Sequence, residues 1–185
     1  MWAWPLLRFL GVCGFLLVMA GHGAVAAAQV GSVTRVQNQA QVGSESAAVG
    51  ASVHMNDHLR TGANARLEVT FQDGTRLTLG ENADVIVDRY VYNPAKSKGE
   101  MLLNASQGAL RLATGKLKEM NNRDIKVATP YAALAVRGTE FWSGPIDGQY
   151  GALLLHGKVR VSNRAGAVNL VTPGQGTDIP IRGRH

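Results

Sequence analysis

ARLEVTFQDGTRLTLG, residues Ala65 to Gly80, decides how the rest of the chain is read. Leu67, Val69 and Phe71 alternate with Arg66, Glu68 and Thr70, and Leu77 and Leu79 alternate with Arg76 and Thr78. A period of two belongs to a strand with one buried face; an amphipathic helix would repeat every three or four residues. Between the two runs stands Gln72-Asp73-Gly74. A two-residue Asp73-Gly74 loop would set Phe71 against Arg76 and mix the faces. A three-residue loop sets Phe71 against Thr75, Val69 against Leu77 and Leu67 against Leu79. Parity therefore selects the longer loop, with Gly74 left-handed in a bulge.

The same habit extends in both directions. VGSVTRVQNQAQV (Val30–Val42) mixes Val and Thr with polar residues and shows no helical period. Asp84–Tyr92, Glu100–Asn104, Ala109–Ala113, Ile125–Ala128, Ala152–Leu155, Lys158–Ser162 and Val168–Val171 read as further strands, with His156-Gly157 as a turn between two of them. Gly115–Asn121, holding Lys116, Leu117 and Met120, is the one candidate for a helical turn. Short strands at this spacing describe an all-β chain of short antiparallel strands, either a β-sandwich or barrel or a short β-solenoid.

TPYAALAVRGTEFW (Thr129–Trp142) runs small and apolar positions into Arg137-Gly138-Thr139-Glu140. A straight strand would put Leu134 and Val136 on one face with Glu140. One extra residue at Gly138 restores the order: Leu134, Val136, Thr139 and Phe141 share the core face, and Ala135, Arg137, Glu140 and Trp142 the other. Arg137 and Glu140 then become neighbours, Trp142 lies under the guanidinium, and Thr129-Pro130 leads in extended. On this reading Gly74, Arg137, Gly138, Thr139 and Glu140 are structural. The competing reading makes Arg137 an anion ligand, with Tyr131 and Trp142 as a platform.

The N-terminus has a different character. MWAWPLLRFLGVCGFLLVMAGHGAVAAAQV carries one charge, Arg8, before an apolar run from Phe9 to about Ala20, and Ala26-Ala27-Ala28 before Gln29. That is the plan of a cleaved secretory signal peptide, expected over residues 1–28. The apolar block is short for a span, which needs about 20 residues. An uncleaved anchor over Phe9–Ala28 is the alternative. Cleavage would remove the single cysteine, Cys13, leaving a product without disulfides or thiols, not membrane-spanning and periplasmic. The formal charge of +6 would fall to +5 with the loss of Arg8. The excess is scattered, with a mild cluster at Lys116, Lys118, Arg123 and Lys126. It permits contact with anionic polymers or headgroups, and export argues against nucleic acid.

Asp57-His58-Leu59-Arg60-Thr61-Gly62, LEVTFQDGTRLTLGENADVIVDRYVYNPA, QGALRLATGK and ATPYAALAVRGTEFW followed by LLLHGKVRVSN together resemble a FecR domain, in order and spacing. The resemblance implies a periplasmic all-β module. Its best-known members relay a transporter signal through one membrane span to a cytoplasmic anti-sigma region. Only eight residues precede the apolar run here, so the expectation is an exported module without that region and without direct contact to a sigma factor. The chain then divides into a signal peptide (1–28), an N-terminal strand region packing on the main module (29–56), the FecR-like β domain (57–163), and a C-terminal strand with a basic tail (164–185).

Candidate site residues are few. Tyr90 and Tyr92 share a strand face beside a polar loop with Lys96 and Lys98, which suits either a half-buried pair packing over an edge or recognition of protein or sugar. Tyr131 and Trp142 complete the candidate partner-binding set. His54 and His58 flank Met55-Asn56-Asp57, a spacing that serves a metal on a helix but not in a turn, so no metal is expected. Glu81, Asp84 and Asp88 fall near one another without the pattern of a catalytic carboxylate pair. No nucleophile with a base and no phosphate loop stands out. The sequence therefore points to a non-catalytic module with no cofactor, binding an envelope protein in signal relay or assembly, or alternatively an envelope polysaccharide.

Overall fold

The structure is a computed structural model describing residues 28–180. Apart from Ala28, the expected signal peptide lies outside the described residues, as does the end of the basic tail. The strands, in chain order, are β1 (Gln29–Gln37), β2 (Ala40–Val42), β3 (Glu45–Ser46), β4 (Ser52–His54), β5 (His58–Thr61), β6 (Arg66–Phe71), β7 (Arg76–Leu79), β8 (Asp84–Asn93), β9 (Lys98–Gln107), β10 (Leu110–Ala113), β11 (Asn122–Ala128), β12 (Ala133–Ile146), β13 (Gln149–Asn163), β14 (Gly166–Leu170) and β15 (Gly176–Ile179). Among the described residues no helix is long and apolar enough to cross a membrane.

All strands join one sheet, ordered β3-β2-β5-β8-β9-β11-β12-β10-β7-β6-β1-β4, with β13 against β12 and β14 and β15 against β13. The long β12–β13 hairpin belongs to both halves of it. One edge of β12 carries β13; the other pairs with β11 over Ala133–Ala135 and with β10 over Glu140–Ser143. β13 likewise pairs with β14 at Val159–Asn163 and with β15 at Tyr150–Leu153. The sheet folds over at this hairpin. Tyr131 and Tyr150 belong to opposite stretches of the ladder, yet their rings meet at 4.9 Å. Phe71 of β6 stacks on Tyr90 of β8 at 5.3 Å, again across the two halves.

Leu67, Val69, Leu77 and Leu112 from one half and Val87, Leu103, Val127 and Leu134 from the other lie in one buried cluster. The all-β fold is thus a sandwich made by bending one sheet, with strands that switch layers at a bulge. Only the β9–β11 pair is parallel among the described strands, whereas stacked solenoid coils would pair in parallel throughout.

The β6–β7 hairpin has the register that facing parity demands, with Leu67 opposite Leu79 and Val69 opposite Leu77. The Phe71 N–H donates to the Thr75 carbonyl at 2.8 Å, and Gly74 has φ +84°. The stretch Val30–Val42 is not one strand. Asn38, at φ +58°, breaks it, so β1 pairs with β6 and β4 in one layer and β2 with β5 in the other. The N-terminal region is hydrogen-bonded into the sheet itself. Gly115–Asn121 does hold a helical turn, a 3-10 turn over Lys116–Glu119 with Leu117 buried.

The bend sits at Gly138. Arg137 faces Lys158, Glu140 faces His156 and Phe141 faces Leu154. Gly138 and Thr139 therefore oppose Gly157 alone, and Leu155 is the extra residue of the other strand. Gly138 has φ +61° and Gly157 φ +81°, and a Cβ on Gly157 would run into the Gly138 carbonyl oxygen. Thr139, 2% exposed, repairs the interrupted ladder. Its hydroxyl donates to the Lys158 carbonyl at 2.6 Å and accepts the N–H groups of Arg137 and Lys158, each at 3.2 Å. Leu134, Val136, Thr139 and Phe141 point inward, as the bulge requires.

Two readings of the sequence need correction here. His156-Gly157 is a bulge within β13 and not a turn; the chain reverses at Asp147-Gly148, both at positive φ, between Ile146 and its partner Gln149. Thr129-Pro130 does not lead in extended either. It starts the turn joining β11 to β12, where Ala128 faces Ala133 and the Thr129 hydroxyl donates to the Ala132 carbonyl at 2.9 Å.

Candidate functional site

The tyrosines singled out in the sequence turn out to be unequal. Tyr90 and Tyr92 do share a face, and it is the inward one. Asp88 is an extra residue in β8, between the pairs Val87–Leu103 and Arg89–Leu102, and it moves Tyr90 to the core side. Tyr90 is 6% exposed, and Tyr92 is half-buried against the same cluster.

The Tyr90 hydroxyl donates to the Asp73 carboxylate at 3.0 Å and accepts the Asp73 N–H at 2.9 Å. Asp73, in the β6–β7 loop and 2% exposed, also accepts the Thr75 hydroxyl at 2.6 Å and the Leu117 N–H at 3.0 Å. This knot ties both layers and the 3-10 turn together. Burial, reinforced by the charge of Asp73, raises the Tyr90 phenol above the usual tyrosine range.

The Arg137–Glu140–Trp142 stack expected from the sequence is not what forms. The ion-pair partner of Glu140 is Arg111 of β10, whose guanidinium donates to it across the outer face. Arg111 faces Trp142 and Ala113 faces Glu140 on the β10–β12 ladder, which brings the pair together diagonally. Arg137 stays exposed beside β11.

Trp142 points instead toward the far end of the hairpin, where an open apolar surface is built. Trp142, Leu153 and Gly176 form one outward row across β12, β13 and β15, and Gly144, Gly151 and Asp178 form the next. The glycines leave room for large side chains to lie flat. A Cβ on Gly144 would collide with Ala109 at 2.5 Å and stand 3.0 Å from the Trp142 ring, and one on Gly151 would stand 3.0 Å from the Ile146 Cγ2. The result is an open cleft of about 420 Å³ lined by Trp142, Ile146, Leu153 and the glycine floor, with Thr177 and Asp178 on the rim. Ile146 is 47% exposed. The cleft's only titratable lining group is Asp178, so the arrangement suits binding of an apolar or aromatic group. Sequence reading found Trp142 alone of these. The signal for the rest is the alternation Trp142-x-Gly144-x-Ile146 and Gly151-x-Leu153 around the Asp147-Gly148 reversal.

Tyr131 is half-buried and engaged with Tyr150, whose phenol is likewise raised by burial. The three carboxylates noted in the sequence each engage different partners. Asp84 meets His58 at 3.1 Å and Arg60 at 3.2 Å, Asp88 accepts from the Asn104 amide, and Glu81 accepts the Asn64 N–H. His54 is 3.5 Å from Asp57 in a turn. Among the described residues no three His, Cys, Asp or Glu side chains gather as metal ligands would.

Comparison with known proteins identifies a family. The model of the FecR protein family matches residues 57–160, more than half of the chain. Two crystal structures of a candidate anti-sigma factor from Parabacteroides distasonis ATCC 8503, at 1.65 and 2.50 Å resolution, share the fold. Each superposes with a TM-score of 0.50 and 17% sequence identity over 66% of this chain. The chain spans 59% of the length of that protein. No curated protein matches.

Proposed function

Because this chain belongs to the FecR family through residues 57–160, we propose that it works as a non-catalytic binding module in a signalling or assembly relay of the cell envelope. Its partner is a protein, and export by residues 1–28 delivers it to the periplasm. The observation that carries this reading is the open cleft of Trp142, Ile146 and Leu153. Aromatic and aliphatic side chains that lie exposed over a glycine floor, with a polar rim, have the make-up of a protein-docking centre. The anti-sigma assignment of the structural neighbours supports a regulatory setting without naming this chain's partner.

The test is a photo-crosslinking residue placed at Ile146 in cells of the native host, with Val49, 69% exposed elsewhere on the surface, as control. A discrete protein adduct from Ile146 and none from Val49, lost on Leu153→Asp, is the expected result. A shift onto carbohydrate, or no difference between the two positions, would replace protein with polymer or remove the cleft from function. Mass spectrometry of the processed N-terminus tests export; a product retaining residues 1–28 in the membrane fraction would make the protein anchored.

A further inference from the structure

We propose that the small pocket at the sheet's bend, lined by Arg123, Arg137, Asn121 and Asp124, binds a phosphate group, free or on a lipid headgroup. The pocket measures about 240 Å³, below the roughly 300–1,000 Å³ of sites for drug-sized ligands and suited to a compact anion. Two arginines, Arg123 and Arg137, are among its lining residues. Its one carboxylate, Asp124, is already met by the Lys126 ammonium at 2.7 Å. Arg123 is anchored through its Nη1, which donates to the Met120 carbonyl at 2.9 Å, leaving the rest of the fork open.

The charge around this pocket is surplus to the fold. Arg137 faces Lys158 directly across the β12–β13 ladder, and like charges so placed repel. Lys118 adds to them, its Cβ 3.7 Å from where a Gly138 Cβ would stand. Among the described residues none of Arg123, Arg137, Lys118 and Lys158 has an ion-pair partner. A bound phosphate would relieve the repulsion and accept paired N–H bonds from the two forks, geometry that guanidinium groups match and ammonium groups do not. Asn121 adds a neutral polar residue to the lining. This site lies on the other side of the Gly138 bulge from the Trp142 cleft and does not depend on what that cleft binds.

The experiment uses the chain as purified from its host and two probes. One is titration with inorganic phosphate followed by phosphorus NMR. The other is co-sedimentation with phosphatidylcholine vesicles with and without phosphatidylglycerol. Arg123→Gln/Arg137→Gln is compared with Arg35→Gln/Arg66→Gln, which removes the same charge from exposed positions elsewhere. Saturable binding of at least one probe is expected, weakened at least about ten-fold in the pocket variant and retained in the other. Binding of phosphate alone identifies a small anion as the source, and binding of anionic vesicles alone identifies a headgroup; either supports the site. No saturable binding of either probe overturns it, as does equal weakening in both variants. Tighter binding of a phosphate-free acidic polysaccharide such as alginate would overturn the phosphate assignment. Arg137→Lys keeps the charge and loses the fork, so undiminished binding by that variant also counts against the site.

Discussion

The folded-over sheet is closed differently at its two ends. At the bend, directional bonds do the closing: Asp73 gathers Tyr90, Thr75 and Leu117, and Thr139 spans the break in the β12–β13 ladder. At the far end Tyr131 and Tyr150 meet ring against ring. A chain that changes layers interrupts its own backbone bonding, and buried N–H and C=O groups left there must find side-chain partners. An end that only needs covering can use apolar area, which fixes no register. The outer surface divides in the same way, with unpaired cations beside the bend and the Trp142 cleft toward the far end.

The largest expected effect is at the bend. Asp73→Ala strands the Tyr90 and Thr75 hydroxyls and the Leu117 N–H in the interior, and should cost roughly 3–5 kcal/mol in urea unfolding, since each such group is worth about 1–3. A loss under about 1 kcal/mol would break the contrast between the ends. Next comes the pair of bend glycines. Gly157→Ala drives its Cβ into the Gly138 carbonyl and should cost about 3 kcal/mol or more. Gly138→Ala meets only Lys118 at 3.7 Å, so it bears the left-handed penalty alone, about 1–2 kcal/mol. The order of the two is the sharper test.

At the far end, Tyr131→Ala should cost about 1–2 kcal/mol, the aromatic pair plus part of its area, without disturbing register at the bend. High pH acts on both ends at once. Tyr90 and Tyr150 have phenols raised by burial, so their contribution is intact below the unfolded value of about 10 and is lost as pH rises beyond it. The urea midpoint should stay level from about pH 7 to 9 and fall above about 10. Smallest of all, Arg111→Ala removes an exposed partner of Glu140 and should cost about 1 kcal/mol or less. A greater loss would show that this surface pair, and not the buried Thr139 hydroxyl, holds the bend.

What the sequence revealed was whatever parity controls. The β6–β7 loop and the Gly138 bulge both follow from asking which residue must face inward, a question local to a dozen residues. The full burial of Tyr90 is not legible because Asp88 adds a silent residue to β8; neither glycine nor proline marks that bulge. Local pattern pairs Glu140 with Arg137, its neighbour in sequence, while its partner Arg111 is 29 residues away on a strand whose adjacency depends on the whole topology. His156-Gly157 reads as a turn in sequence because it stands between the apolar run ending at Leu155 and the Lys158–Ser162 run. The real role of Gly157 answers Gly138 in the facing strand, and a single strand's pattern does not contain that information. The cleft was legible only at Trp142, since its floor is made of glycines, which carry no hydropathic signal.

The β12–β13 hairpin also has a bearing on how the molecule comes to be folded. Its strands are joined by only two residues, Asp147 and Gly148, so they can zip together before distant segments meet. β1, by contrast, pairs with β6 from as far as Gly31 to Phe71. Hairpins of this kind form in about 1–10 microseconds. Since each half of the sheet has one of its strands paired with β12, a hairpin formed early would offer both layers an edge to grow from. Folding rate should therefore respond to changes at Asp147-Gly148, and unfolding rate to changes in β1.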